Sequence, residues 1–219
     1  MVVGAVLSTH LLSSTNLSLM WIENEIKLTF VGVIVSIIYN LYMPSLDNEY
    51  EKRKELIEKN FGILLSNMAQ SLMTKSVCIY DEKILNEVSM HIKENTDISY
   101  KIKDNFLFKK EEAAVKYMDM RSSQLETIKR MRKHFARFYM TYNQTKILSD
   151  FTNKVANNIY EDNDCRELLE NLNMLRDDYK RMELPTSREE FENRALLFQF
   201  LNDLEDCLLI KREFKMNMN

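Results

Sequence analysis

The sequence predicts an all-α protein, an antiparallel four-helix-type bundle of long helices preceded by one complete and one partial transmembrane helix. Three observations support this fold class. The 219 residues include only three glycines and two prolines, where typical usage would give roughly 15 and about 11, so few residues break a helix. Apolar residues recur at steps of three, four and seven, which is typical of amphipathic helices. An apolar run ends near Pro44, and a charge-rich sequence follows it directly.

The segment 28–43 carries no charge and reads LTFVGVIVSIIYNLYM. Extended back to Ile26, it reaches about the 17 residues that can span a hydrocarbon core. Tyr39 and Tyr42 stand at its end, where amphipathic rings favour the membrane interface. We therefore expect a transmembrane helix over residues 26–43. A buried core helix is the alternative, because it has a similar composition at this length.

The first twelve residues are apolar but too short to span a membrane, and we expect a partial membrane helix over residues 1–12. Residues 1–45 would then form a truncated membrane segment, and residues 46–219 a helical bundle. Basic residues at positions 52–54 follow the apolar run, which predicts that the bundle lies in the cytoplasm. On this interpretation the chain is a fragment, or a shortened product, of a longer membrane protein.

The bundle is expected to begin with a long helix from Leu46, because its apolar residues fall on one helical face. Asp81 is expected to cap a shorter second helix. Weak alternation over residues 96–105 favours an extended connection after it. The apolar positions are Leu46, Tyr50, Ile57, Phe61, Leu64, Met68 and Leu72 in the first helix, and Ile84, Leu85, Val88 and Ile92 in the second.

A helical stretch without glycine or proline is predicted from about residue 109 to residue 160, with a bend or break near residues 141–144. Asp164 is expected to begin the next helix, at heptad-like spacing. Ser187 and Glu190 have the spacing of a capping box, which predicts the start of the last helix. The positions expected to be buried are Tyr117, Ile128, Met131, Phe135, Phe138 and Tyr142, then Leu168, Leu172, Leu175, Tyr179 and Met182, then Phe191, Ala195, Phe198, Leu201, Leu204 and Leu208.

The composition argues against several function classes. A formal net charge of -3 is unlike that of a general nucleic-acid binder, which is normally basic. Cys78, Cys165 and Cys207 are widely spaced and predict reduced thiols rather than a disulfide framework or a zinc site. The sequence has no paired metal-binding histidines, no GxSxG, no Walker loop and no GxGxxG. We therefore predict no enzymatic activity, no cofactor, no metal and no nucleic-acid partner.

Three stretches carry a family resemblance: VGVIVSIIYNLYMPSL, YMDMRSSQLETIKRM and LPTSREEFENRALLFQFLNDLEDCLLIKREF. Together they resemble the bacterial aromatic acid exporter family, in those members that join a membrane domain to a C-terminal helical domain. The resemblance covers nearly the whole chain. It implies several membrane helices in the bacterial plasma membrane, a cytoplasmic C-terminal bundle, and export of aromatic carboxylic acids.

The chain departs from the family pattern because most of the membrane domain is absent from it. A single complete span cannot enclose a substrate path, so we expect the bundle to serve substrate sensing or assembly rather than transport itself. The alternative is a membrane-tethered helical interaction module with no transport role. The expected partners are the lipid bilayer, small aromatic carboxylic acids and further copies of the same chain.

Polar residues interrupt two of the apolar stripes. Arg121 and Gln124 share a stripe with Tyr117, and Arg194 lies beside the apolar face of the last helix. A buried guanidinium needs a partner, which Glu190 or Glu126 would supply in an internal ion pair. The carboxylate of a bound aromatic acid is the other candidate, through a bidentate pair. We thus consider Arg121, Gln124, Arg194 and Glu190 as ligand-binding candidates.

A basic run near the middle of the chain contains Lys129, Arg130, Arg132 and Lys133. A solvated helical face is one interpretation of such a run. Contact with the anionic headgroups of the inner leaflet is the other, because each basic residue near that surface contributes about 1 kcal/mol.

Overall fold

The structure is a computed structural model that describes residues 19–42, 46–74, 80–105, 110–135 and 143–218. Over these residues every regular element is an α-helix, which confirms the all-α prediction. The helices are α1 (Leu19–Tyr42), α2 (Leu46–Thr74), α3 (Tyr80–Asn105), α4 (Lys110–Phe135), α5 (Asn143–Ala156), α6 (Arg166–Arg181) and α7 (Arg188–Met218). The chain divides into two compact units, Met1–Ser45 and Leu46–Asn219.

In the first unit, α1 exposes apolar side chains in all directions. Ile26 is 63% exposed and Leu28 is 69% exposed, and the apolar side chains from residue 30 to residue 38 are also exposed. Among the described residues, no helix is both long enough and apolar enough to cross a membrane. The structure therefore does not support the complete transmembrane helix expected at residues 26–43. The partial helix expected at residues 1–12 lies outside the described residues.

In the second unit, five helices pack side by side in the order α2, α3, α4, α7, α5, and α5 returns to α2. The sixth, α6, packs against α7 and α5. Helices α2 and α5 run antiparallel. The Ser149 hydroxyl donates to the carbonyl oxygen of Ala69, whereas Ala156, further along α5, lies beside Gly62, which comes earlier in α2. The bundle thus has more helices than the four-helix type predicted. The reason is that the long stretch after residue 109 forms two helices, and each has an apolar stripe to bury.

The core of the bundle includes the predicted stripe of α2. Ile57, Phe61 and Leu64 are fully buried, and Met68 and Leu72 are nearly so. Because these residues recur at helical spacing, one face of α2 meets α5 and α3 while the other stays in water. This part of the sequence prediction is confirmed.

The extended connection predicted at residues 96–105 is wrong, because these residues continue α3. Ile98 and Ile102 are buried, whereas Tyr100 is 48% exposed. An i, i+4 apolar pair belongs to a helix as well as to an alternating strand, and the preceding helical face at Ile92 extends through this pair. The alternation of apolar residues over 96–105 is short, so periodicity alone did not distinguish a helix from an extended connection.

The long stretch after residue 109 forms two helices: α4 ends at Phe135 and α5 begins at Asn143. Tyr117, Ile128 and Met131 are buried as predicted. Phe138 and Tyr142 lie outside the described residues, as do positions 141 and 142 of the break predicted near residues 141–144, whereas residues 143 and 144 begin α5.

The helix predicted from Asp164 begins two residues later, at Arg166. Cys165 precedes it with a left-handed backbone, φ 61°, and this conformation is uncommon for a residue with a side chain. Side-chain oxygens hold the turn: Asn163 Oδ1 accepts from the Cys165 amide at 2.8 Å, and Asp164 Oδ1 accepts from the Arg166 amide at 3.1 Å. Leu168, Leu172 and Leu175 are buried as predicted, whereas Tyr179 and Met182, the last two positions of the predicted stripe, are only partly buried.

The capping box at the start of α7 is confirmed, because the Glu190 amide donates to Ser187 Oγ at 3.1 Å. The Glu190 carboxylate turns back to the Thr186 amide, at 2.8 Å. The first part of the predicted apolar face is wrong, since Phe191 is 61% exposed and Phe198 is 42% exposed. The buried positions there are Asn193, Leu197 and Phe200.

At the N-terminal end of α7 the buried positions therefore lie two residues further along the chain than predicted, at 193, 197 and 200 instead of 191, 195 and 198, which is about 200° around the helix. Leu201, Leu204 and Leu208 are buried as predicted, because they continue the face of Asn193 and Leu197 at steps of three and four. The predicted and the observed stripe share Leu201, Leu204 and Leu208 and differ only before Leu201. Packing of α7 against α4 and α6 decides which of the earlier residues are buried.

Candidate functional site: a buried arginine cluster and an aromatic groove

Arg121 of α4 lies at the centre of a polar cluster inside the bundle, with a side chain that is fully buried. Its Nε donates to the Tyr117 hydroxyl at 2.8 Å, and its Nη1 donates to Gln124 Oε1 at 3.0 Å. Its Nη2 donates to Glu58 Oε1 of α2 at 2.6 Å and to the carbonyl oxygen of Ile159 at 2.9 Å. The guanidinium thus joins α4, α2 and the segment that follows α5.

The local sequence explains how α4 contributes three polar groups to one place. Tyr117, Arg121 and Gln124 are spaced i, i+4 and i+7, which places them on one helical face. Gln124 Nε2 also donates to the carbonyl of Cys207, at 2.8 Å, and so connects α4 to α7. The Arg121 guanidinium carbon lies 5.4 Å from the ring centroid of Phe61, within the range of a cation–π contact.

Lys211 of α7 is the second buried cation of the cluster and is 1% exposed. Its Nζ donates to the carbonyl oxygens of Ile159, at 3.1 Å, and Tyr160. Burial, and to a smaller extent the nearby Arg121 guanidinium, lowers the pKa of Lys211 to about 8. Desolvation disfavours the charged ammonium, and the two carbonyl oxygens only partly replace water.

Glu58 balances part of this positive charge. Its Oε1 accepts from Arg121 and also from the Tyr117 hydroxyl, at 2.5 Å. Burial raises the pKa of Tyr117 above its ordinary value, so this phenol stays a neutral donor. The arrangement is an ion pair with further hydrogen bonds, which is the condition under which buried charges are tolerated.

The cluster fixes the connection between α5 and α6, residues 157–165. Arg121 and Lys211 bond to carbonyls within it, and Lys54 of α2 pairs with Glu161 at 2.6 Å. Arg121 and Gln124 therefore bond to groups of the bundle itself in this structure. A role for these two residues in binding a ligand stays a prediction.

Arg194 and Glu190, the other two candidates, lie together at a separate place. Arg194 Nη2 pairs with Glu190 Oε1 at 2.5 Å, and Nη1 donates to the carbonyl of Glu183. Glu190 is the partner that the sequence predicted for Arg194. Hydrogen bonds from the amide and hydroxyl of Thr186, together with Arg194, lower the pKa of Glu190, so its carboxylate is ionised beside the Arg194 guanidinium.

The two candidate pairs do not form one site. Gln124 bonds to Cys207, which is 13 residues from Arg194 along α7, or about 20 Å at 1.5 Å per residue. The arginines therefore have different surroundings: Arg121 is enclosed by the core, whereas the Arg194 side chain is 23% exposed.

Arg194 lies in the wall of a groove between α6 and α7, with a volume of about 300 Å³. Its lining is mainly apolar and aromatic and includes Tyr179, Pro185, Phe191, Ala195 and Phe198. Two of the three aromatic residues are those that the sequence placed on the buried face of α7. The groove exists because the rotation of α7 leaves them at the surface.

Sequence reasoning missed two members of the buried cluster, Glu58 and Lys211. Lys211 follows Leu204 by seven residues and Leu208 by three, so its place on the buried face was available as a signal. Glu58 lies four residues after Lys54 and three before Phe61, at the edge of the α2 stripe. Its pairing with a residue 63 positions away could be seen only in the tertiary structure.

The basic run of α4 is largely paired with carboxylates of the bundle. Lys129 pairs with Glu126 at 2.7 Å, and Arg132 pairs with Glu82 at 3.7 Å. Arg130 pairs with Asp203 and Asp206 of α7, while Lys133 is exposed. Contact of these four residues with anionic lipid headgroups stays a prediction, and the internal pairs would compete with it.

Within the described part of the chain, no group of three His, Cys, Asp or Glu side chains is placed to hold a metal ion. Cys165 and Cys207 are buried free thiols. Burial raises the pKa of Cys207 to about 12, so it is a poor nucleophile at neutral pH. The buried cluster at Arg121 and the groove at Arg194 therefore offer hydrogen bonding and charge pairing.

Comparison with known proteins identifies the family. Residues 47–212 match the family described as "Putative aromatic acid exporter C-terminal domain". Residues 1–43 match "Aromatic acid exporter family member 1". These two matches cover both units of the chain and agree with the resemblance predicted from its sequence.

Two individual proteins are similar to the chain. "Uncharacterized protein YqjA" of Bacillus subtilis (strain 168) is 32% identical over 214 residues, which are 98% of this chain. The chain spans 66% of the length of that relative. A solved structure, "Crystal structure of putative membrane protein from Clostridium difficile 630", has 25% sequence identity and a TM-score of 0.66, and covers 76% of this chain and 98% of its own.

The exporter family implies association with a membrane. The match to residues 47–212 by itself covers most of the 219 residues. The chain therefore belongs to the aromatic acid exporter family.

Proposed function

We propose that the chain is part of a bacterial exporter of aromatic carboxylic acids, with residues 26–43 embedded in the plasma membrane and the helical bundle in the cytoplasm. The observation that carries this proposal is the exposure of apolar side chains all around α1. Phe30 is 66% exposed, Val31 is 57% exposed and Ile38 is 58% exposed. A helix that is apolar on every side is typical of a membrane or of a large protein core. The family match to residues 1–43 supports the membrane.

The cytoplasmic orientation is supported by the charges that follow the apolar run. Lys52, Arg53 and Lys54 lie in the second and third turns of α2. Basic residues close to a membrane helix favour the cytoplasmic side, whereas nearby carboxylates contribute little to orientation. The salt bridge from Arg53 to Glu49 therefore does not weaken this argument.

We assign the bundle to substrate sensing or assembly rather than to the transport path. Its interior is filled by its own side chains: Arg121, Gln124 and Lys211 are buried and bonded to neighbouring helices or connections. A path for a solute would require space between the helices and polar groups directed into it. The grooves of the bundle lie at its surface instead.

Membrane location and orientation can be tested with fusions after Asn219. A green fluorescent protein fused there should fluoresce, because it folds in the cytoplasm, and an alkaline phosphatase fused there should be inactive. Both fusions should stay in the membrane pellet after washing with alkaline carbonate. Release of the fusions into the supernatant would contradict the membrane embedding of residues 26–43, and phosphatase activity would contradict the orientation.

Export can be tested with the gene in its own organism. Deletion should increase the intracellular accumulation of radiolabelled 4-hydroxybenzoate, and restoration of the gene should reverse it. A deletion strain with unchanged accumulation of a panel of aromatic acids would remove the export role.

A membrane-tethered interaction module is the second candidate function. It is favoured by the exposed apolar side chains near the start of α7, where Leu184 is 85% exposed and Phe191 is 61% exposed. Patches of this kind often mark interaction sites. In that case accumulation would not change on deletion, and a partner protein would protect these residues from labelling.

A further inference from the structure

The groove between α6 and α7 has the size and lining of a small-molecule site. Its volume of about 300 Å³ lies at the lower end of the range for ligand pockets. Tyr179, Phe191 and Phe198 supply aromatic surface from two helices and Pro185 closes the side formed by the connection between them. A single planar ring fits such a space better than an extended ligand does.

The exposed ring of Phe198 in this groove has a neighbour that holds it in position. The guanidinium carbon of Arg176 lies 5.9 Å from the ring centroid of Phe198. Arg176 is itself fixed by Glu205, with Nη2 to Oε2 at 2.6 Å and Nη1 to Oε1 at 3.0 Å. Two parallel hydrogen bonds of this kind orient the guanidinium plane. The ring of Phe198 is thus preorganised although it is 42% exposed, and preorganised surface binds at lower entropic cost.

Arg194 is the one charged side chain among the described residues that line this groove. Glu190 and the Glu183 carbonyl engage its two terminal nitrogens. Its Nε is buried and has no hydrogen-bond partner among the described residues. A buried donor without an acceptor is unfavourable, and a carboxylate oxygen is the acceptor that a guanidinium binds best. Nε is shielded from solvent, so an oxygen reaches it only after a rotation of the Arg194 side chain.

We propose that this groove binds a planar aromatic monocarboxylate, with the ring between Tyr179, Phe191 and Phe198 and the carboxylate on Arg194. The inference rests on the proposed function and deepens it, since it gives the bundle a place at which the exported class of compound is sensed. The lining favours this occupant because it has one cation, which Glu190 engages at only one terminal nitrogen, and an otherwise mainly apolar and aromatic surface. The ion pair with Glu190 holds Arg194 at the wall of the groove. Glu190 also accepts hydrogen bonds from the amide and hydroxyl of Thr186, so the Glu190 side chain stays in place when Arg194 rotates.

The test is a titration of the full chain, purified in detergent, with 4-hydroxybenzoate, followed by isothermal calorimetry and by saturation-transfer NMR. Arg194→Gln is expected to weaken binding at least about tenfold, because a charge-assisted hydrogen bond is lost. Arg188→Gln is the matched control, since Arg188 lies on the same helix, pairs with Glu192 and does not line the groove. Its affinity should equal that of the unmodified chain.

A second variant keeps the test decisive if Arg194→Gln is unstable. Ala195 is exposed and lines the groove, so Ala195→Trp fills the space without disturbing the core. This variant should fold normally by circular dichroism and should lose binding. The neutral analogue 4-hydroxybenzamide should bind at least about tenfold more weakly than the acid, and cyclohexanecarboxylate should bind more weakly because it lacks the aromatic face.

Three results would overturn the inference: no binding of 4-hydroxybenzoate by the unmodified chain up to about 10 mM, equal affinity in Ala195→Trp, or equal affinity for the acid and the amide. A concentration-dependent dimer that Ala195→Trp abolishes would assign the groove to a second copy instead. Failure of this inference is separable from failure of the proposed function. A chain that stays in the membrane and supports export without binding in the groove contradicts the inference alone.

Discussion

Arg121 and Lys211 donate hydrogen bonds to the same backbone oxygen, that of Ile159, from Nη2 at 2.9 Å and from Nζ at 3.1 Å. Two cations at one acceptor repel each other, and the repulsion is strong in a buried site. Glu58 offsets part of it through its ion pair with Arg121. The connection between α5 and α6 is thus held at a point where α2, α4 and α7 all contribute a side chain, and its stability depends on the balance of these charges.

Replacement of Arg121 should strongly destabilise the bundle. Arg121→Met leaves the largely buried Glu58 carboxylate without its cation, and we expect a loss of about 3 kcal/mol in the free energy of unfolding. Urea denaturation followed by circular dichroism measures it. Arg188→Met, which removes an exposed pair with Glu192, is the control and should have little effect. A loss in Arg121→Met no greater than in this control would contradict a central role for the cluster.

The paired replacement of Arg121 and Glu58 by methionine gives a sharper comparison. If the charge of Glu58 is what Arg121 offsets, the double variant should be less destabilised than the sum of the two single variants. Strict additivity would show that the two residues act independently.

Lys211 should make stability rise with pH just above neutrality. Its pKa is near 8 in the folded chain, against about 10.4 when unfolded, so between these values the unfolded chain binds more protons. The contribution of Lys211 to stability therefore increases as the pH rises through 8. The full difference corresponds to about 3 kcal/mol, of which roughly half is gained by pH 9. Lys211→Met should remove this rise, as measured by urea denaturation at several pH values.

Other groups that face Lys211 set the window for that experiment. Arg121 from α4, Glu58 from α2, Cys165 from the connection and Lys215 from α7 itself all act on it. From about pH 8 the raised pKa values of Cys207 and Cys165 work in the opposite direction, because the thiols of the unfolded chain ionise with a pKa of about 8.5. The quantity to compare is therefore the difference in stability between Lys211→Met and the unmodified chain from pH 7 to 9, in which the thiol contributions cancel, with Lys116→Met as the control on an exposed helix position. The same rise in Lys211→Met as in the unmodified chain would exclude Lys211 as its source.

The cap of α7 should contribute measurably to stability. Ser187→Ala removes the oxygen that accepts from the Glu190 amide, and we expect a loss of about 1 kcal/mol. Ser123→Ala is the matched control. Its hydroxyl bonds back to the Asp119 carbonyl within α4, and alanine at an exposed mid-helix position is neutral or slightly stabilising. The prediction fails if both variants unfold at the same urea concentration.

Close packing of α2 on α5 should make Gly62 sensitive to the smallest enlargement. A Cβ at this position would lie 3.2 Å from the backbone oxygen of Ala156, and a backbone atom at the helix contact yields less easily than a side chain. Gly62→Ala should therefore lower stability by about 1 kcal/mol despite its better helix propensity. Gly32→Ala, whose Cβ meets nothing within 4 Å, should not change the stability of the bundle. A stabilised Gly62→Ala variant would contradict the close contact.

The sequence by itself determined the helical class and much of the core. Ile57, Phe61 and Leu64 have a spacing that only a helix places on one face, and few breakers interrupt it. The capping box at Ser187 was likewise visible, because its hydrogen bonds join residues three apart. Features of this kind depend on local geometry, which the order of residues fixes.

Only the tertiary structure decided which of two overlapping faces α7 buries and which carboxylate meets Arg121. Phe191 and Phe198 fit an apolar stripe, yet the packing of α4 and α6 rotates them to the surface and forms the groove. Glu58 and Arg121 are 63 residues apart, so no periodicity relates them. Long-range pairs depend on how the helices pack against each other. That packing is decided by burying the apolar stripes of all the helices at once, which the stripe of a single helix does not determine.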